Sequence, residues 1–164
     1  MSLFGNSEYR WRETFLVMLD RTKRPSGAEF ERAMGQLGGR YVVDELAVDD
    51  EGLLETATLL APSDHAAMDV SFVAGEEVSE QVAELYAQLA DDDLLPDEQQ
   101  KLAQITSCDA RLDLLHFEKI ELEFLADDAE EEEMMDPGSL LIVAATIGAL
   151  CQGVAVDPQS GTFI

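Results

Sequence analysis

His116 and Glu118 stand two residues apart in the stretch CDARLDLLHFEKIELEF, residues 108–124. On a β-strand, positions i and i+2 point to the same face, about 7 Å apart. An imidazole and a carboxylate so placed could work as an acid–base pair or supply two metal ligands. A first-row metal needs three or more converging ligands. The further candidates are His65, in the loop before MDVSF, and Asp113, which a regular strand sends to the opposite face with Asp109. The chain has two histidines and two cysteines, Cys108 and Cys151, with no CxxC and no His/Cys cluster. A structural zinc site needs about four such ligands. The expectation is therefore no metal and no cofactor, and two reduced, buried thiols, with a disulfide between them as the alternative.

The same stretch read in steps of two has apolar Leu112 and Leu114, then His116 and Glu118, then apolar Ile120, Leu122 and Phe124. A bulge or bend near residues 116–119 would turn the polar pair to solvent and restart the alternation at Ile120. That is the expected geometry. An enzyme using His116 and Glu118, with His65 or Asp113, is the alternative. Asp109, Arg111 and Asp113 share the other phase and read as a salt-bridged ladder.

Other chemistry-bearing patterns are absent. There is no G-x-S-x-G, no Walker-A loop and no G-x-G-x-x-G. The run from Asp127 to Asp136 holds seven carboxylates but lacks the glycine and the alternation of a calcium loop. It reads as a solvated linker, 126–136, in which Glu130, Glu131, Glu132 and Glu133, followed by Met134 and Met135, could dock a basic partner. Near the N-terminus, Tyr9, Arg10, Trp11 and Arg12 interleave aromatic and basic groups, as interaction hot spots do. Residues 1–11 read as an arm that could dock on another molecule or fold back on its own acidic domain.

Charge sorts the functional classes. The net is −25, from 35 acids and 10 bases. Residues 1–40 hold seven bases and five acids; the other 124 hold three bases and 30 acids. A field of that sign repels nucleic-acid phosphates and anionic membranes. No apolar run approaches the roughly 20 residues of a membrane-crossing helix, and no leader pattern opens the chain. A cytoplasmic location is expected.

The elements that must position these residues follow from periodicity. RETFLVML (residues 12–19) reads as a buried strand. Ser26 and Glu29 have capping-box spacing, and Phe30, Ala33, Met34 and Leu37 form one helical stripe stopped by Gly38-Gly39. RYVVDELAV and LLETATLLA flank the turn DDEG as a hairpin, and MDVSFVAG alternates as a half-buried strand. Val78, Val82, Leu85 and Leu89 mark a second helix, and Pro96 starts a third, short one. After the strand at 108–124 comes a helix apolar on nearly every side, with Asp136 and Pro137 at its start, then two short strands around DPQSG.

The order β-α-β-β-β-α-α-β-α-β-β predicts one α+β domain over residues 1–164. A mixed, mostly antiparallel sheet would carry helices chiefly on one face, with ferredoxin-like βαββαβ elements and a C-terminal α-β extension. The functional expectation is a non-enzymatic protein-interaction module, binding a protein partner or a second copy of itself. Alternatives are the His116/Glu118 enzyme and a nucleic-acid mimic that occupies a basic protein.

Overall fold

A computed structural model describes residues 3–5, 7–90, 93–119 and 138–164. Among these, seven strands form one sheet: β1 (Tyr9–Leu19), β2 (Val42–Val48), β3 (Leu54–Ala61), β4 (Ala66–Ala74), β5 (Ala110–Lys119), β6 (Val154–Asp157) and β7 (Thr162–Phe163). Four helices accompany them: α1 (Gly27–Gly35), α2 (Glu76–Leu89), α3 (Pro96–Ile105) and α4 (Gly138–Leu150). The protein is α+β. The strand order is β2-β3-β4-β5-β1-β6-β7, and every pairing is antiparallel.

Local signals in the chain set many of the boundaries. Ser26 and Glu29 close the capping box of α1: the Glu29 N–H donates to the Ser26 hydroxyl, and the Ser26 N–H to the Glu29 carboxylate. Pro96 stands in the first turn of α3. In the β2–β3 turn the Asp49 carboxylate accepts the N–H groups of Glu51 and Leu53, and Gly52 takes a positive φ of 80°. Those backbone donors hold the Asp49 carboxyl below the usual carboxylate range.

The helices divide between the two faces of the sheet, rather than gathering chiefly on one. Phe15, Val17 and Leu19 of β1 face α1 and α4, through Phe30 and Met34 on one helix and Val143 and Ile147 on the other. Leu16 and Met18 point the other way, toward α2 and α3, where Val78, Leu85 and Ile105 meet them. The cause is the unbroken apolar run Phe15–Leu19, buried at all five positions. A strand apolar on both sides needs cover on both sides.

The split β-α-β element of ferredoxin-like arrangements occurs at the C-terminal end. β5 and β6 both run antiparallel to β1 and flank it, so β5-α4-β6 is a parallel crossover with β1 between its strands. At the other end, the connection from β1 through α1 to β2 spans three intervening strands. The return from α4 to β6 passes so close to β1 that a Cβ on Gly153 would lie 2.5 Å from the Met18 carbonyl oxygen. Only glycine fits there.

Candidate functional site

The outer halves of β1 and β5 bring together two groups of residues that lie over a hundred positions apart in the chain. β1 starts at Tyr9, so Tyr9, Arg10 and Trp11, read as arm, belong to the sheet. Pairing runs Arg10 to Glu118, Trp11 to Phe117 and Glu13 to His116, leaving Arg12 as an extra residue. The irregularity expected on β5 thus sits on its partner. In a regular strand Arg10 and Glu13 would face opposite ways; the bulge at Arg12 puts both on the His116 face.

β5 itself stays regular, and this overturns the solvent-turned geometry expected for His116. Its side chain continues the phase of Leu112 and Leu114 into the core and is fully buried. Across one side of the ring lies Met68 of β4; across the other lies Glu13. His116 Nδ1 sits 3.2 Å from Glu13 Oε1. A carboxylate can only accept, so Nδ1 carries the hydrogen and Nε2 presents a bare lone pair. Nε2 has no hydrogen-bond partner among the described residues. Burial lowers the proton affinity of the ring, and the Arg12 charge adds to this; Glu13 and Asp64 act in the opposite sense without prevailing.

Glu118 is engaged elsewhere. Arg10 Nη2 donates to its carboxylate at 2.9 Å, and Arg12 Nε lies 3.3 Å from the same oxygen. The acid paired with the imidazole is thus Glu13, not Glu118. No i, i+2 or i, i+4 spacing along β5 could reveal it, because the pairing exists only once β1 and β5 are in register.

The remaining candidates do not converge on His116. His65 is exposed, in a left-handed turn with φ 50°, and its carbonyl accepts the Lys119 N–H at 2.8 Å. Lys119 is three residues along β5 from His116, about 10 Å at the rise of a strand. Asp113 lies on the opposite face, where Arg111 Nε donates to it at 2.7 Å. Burial nevertheless raises the Asp113 carboxyl above its ordinary value. Arg111 also reaches Gln81 and Glu77 of α2, joining helix to sheet. Asp109 is not part of that ladder: it accepts from the Arg21 backbone N–H and from Arg21 Nε, both at 2.8 Å. Among the described residues no group of three or more His, Cys, Asp or Glu side chains could hold a metal.

Tyr9 and Trp11 of β1 face the other way. Tyr9 packs against a small cluster of Leu3, Ala67 and Phe117. Trp11 is 41% exposed, and its indole N–H donates to Thr14 Oγ1. Beside that cluster lies a buried carboxylate, on the phase of β4 that alternates with Met68 and Val70. Asp69 accepts the Leu3 N–H at 2.8 Å and the Thr58 hydroxyl at 2.9 Å, tying the N-terminal turn to the sheet. Glu130 to Glu133, Met134 and Met135, with the linker that holds them and the expected restart at Ile120, lie outside the described residues.

Charge is partitioned in a simple way. Arg10 and Arg12 meet Glu118, Arg21 meets Asp109, Arg24 meets Asp49, Arg40 meets Asp64 and Arg111 meets Asp113. Residues 41–100 contain seventeen acids and no Lys or Arg. No helix among the described residues is long and apolar enough to cross a membrane. Comparison with protein-family models, with curated proteins and with solved structures finds no match.

Proposed function

We infer that this protein is a non-enzymatic interaction module that binds a basic protein partner through its acidic surface. The observation that carries the reading is the charge partition. The arginines of residues 1–40 are largely taken up in ion pairs within the chain. The base-free segment 41–100 meanwhile keeps Glu76, Glu80, Glu84 and Asp97 exposed on α2 and α3. Such a field attracts cationic surfaces and repels nucleic acid. Screening gives the test, since the Debye length shrinks from about 30 Å at 0.01 M salt to about 10 Å at 0.1 M. A pull-down from lysate at both salt levels is expected to retain a basic protein at low salt and release it at the higher. A strict monomer with no salt-sensitive partner overturns the reading.

A second reading is acid–base chemistry at His116. It is favoured by the Glu13 carboxylate, which fixes the tautomer and leaves Nε2 able to accept a proton. Full burial of the ring weighs against it. It predicts loss of an activity in His116→Gln with the fold retained. The interaction module predicts unchanged partner binding in the same variant.

A further inference from the structure

The buried imidazole lies on one specific ladder. The pairs Tyr9–Lys119, Arg10–Glu118 and Trp11–Phe117 lie beyond the bulge at Arg12, whereas Glu13–His116 is the last pair of the regular run that continues to Leu19–Ala110. A bulge interrupts the ladder hydrogen bonds, so the outer part is held less by backbone pairing and more by side chains. Those side chains are the Arg10/Arg12–Glu118 ion pairs, partly open to solvent, while the His116–Glu13 contact holds the inner edge of the bulge from within the core.

Among the described residues, the charged groups that face His116 come from three elements. β1 supplies Glu13, Arg12 and Arg10, the turn before β4 supplies Asp64, and β5 supplies Glu118, one step along on the same face. β4 places the uncharged Met68 opposite. Glu13 already accepts from Nδ1, and Glu118 and Asp64 are held by arginines. A second proton on the ring would sit on Nε2, which has no hydrogen-bond partner among the described residues. The neutral ring is therefore the form that this packing accommodates.

We propose that His116 is an acid-sensitive latch: taking up a proton at Nε2 places an unpaired N–H donor in the core and releases the outer part of β1, Tyr9 to Glu13, from β5. The step moves one proton from water to Nε2 and breaks no covalent bond. It does not depend on the interaction reading above, although it controls exposure of Tyr9, Arg10 and Trp11. Lowering the pH also reduces the net negative charge and its self-repulsion, which acts on the whole domain and favours compactness. A loss of order confined to the outer ladder is therefore the mark of the latch.

The test is native-state amide hydrogen exchange of the full chain between pH 7.5 and pH 5, corrected for intrinsic rates. Protection at residues 11–13 and 116–118 is expected to fall by up to tenfold per pH unit, the slope for uptake of one proton. Phe15–Leu19 and Ala110–Leu114 should hold. His116→Phe should abolish the local pH dependence, while His65→Phe should preserve it. If His116→Phe does not fold, the wild-type imidazole read by NMR decides the matter. The His116 ring should stay neutral below its ordinary value of 6.5, and its protonation should coincide with the loss of protection. Titration of His116 at its ordinary pH with the outer ladder intact, or the same local pH dependence in a folded His116→Phe, overturns the proposal.

Discussion

Glu13 Oε1 lies 3.2 Å from His116 Nδ1, across a strand boundary that only the β1–β5 register creates. Burial of the ring, which this contact opposes, sets the direction in which His116 responds to pH. Burial holds the imidazole below its ordinary value of 6.5 despite Glu13. As pH falls through 6.5, the unfolded chain takes up this proton before the folded one does. The support that neutral His116 gives the fold is therefore complete above that pH and declines below it. Urea titrations at pH 7.5 and pH 5.5 should show wild type losing stability relative to His116→Phe on acidification. Glu13→Gln keeps an acceptor for Nδ1 but removes the charge that favours the imidazolium. In that variant the His116 NMR titration should move to still lower pH.

Asp69 should prove as important to stability as an apolar core residue. Its carboxylate is the partner of the Leu3 N–H and the Thr58 hydroxyl, both in buried surroundings. Asp69→Ala leaves two donors unsatisfied, at a cost of about 1–3 kcal/mol each where water cannot reach them. Equilibrium urea unfolding measures the total. Exchange at Leu3 and Gly5 should accelerate as well, because the carboxylate is what fastens that turn to β4.

Arg24 joins three parts of the chain in a way that lysine cannot copy. Its guanidinium stacks 4.0 Å from the centre of the Phe72 ring, donates to the Leu54 and Leu53 carbonyls, and lies 3.2 Å from Asp49. The planar fork serves these partners together. Arg24→Lys should destabilise by about 1–3 kcal/mol, on the scale of charge-assisted hydrogen bonds, and Arg24→Ala by at least as much. Thermal unfolding of the two variants side by side checks the order.

Both thiols should be silent in the native protein. Burial pushes Cys108 and Cys151 up to about 11. Each Sγ donates to a helix carbonyl one turn back, Gln104 for Cys108 and Ile147 for Cys151. The thiolate is the reactive form. At pH 8 a chromogenic disulfide reagent should titrate neither thiol on a timescale of minutes. Both should react promptly in urea. Rapid reaction of native Cys108 would show that the end of α3 opens readily.

The linear chain determines those features whose physics is local. Ser26 and Glu29 cap α1 because the two groups are three residues apart and need no distant partner. The β2–β3 turn forms where Asp49 and Gly52 stand, and β5 holds the period of two that buries Ala110, Leu112 and Leu114. The acidic character and the basic first forty residues are likewise properties of composition.

The tertiary structure decides whatever depends on register. The break in the apolar phase at His116 marks an irregularity, but nothing in residues 108–124 tells which strand of the pair carries the extra residue. The bulge falls at Arg12, so β5 runs straight and takes its histidine inside. Asp69 reads as a solvent-facing position of an alternating strand until the N-terminal turn covers it. The run Phe15–Leu19 signals burial on both sides, yet its consequence, helices on both faces of the sheet, appears only when β1 takes its place between β5 and β6. A polar side chain's partner is fixed by cross-strand distance and not by sequence separation, and that is why Glu13, 103 positions from His116, belongs to the candidate site.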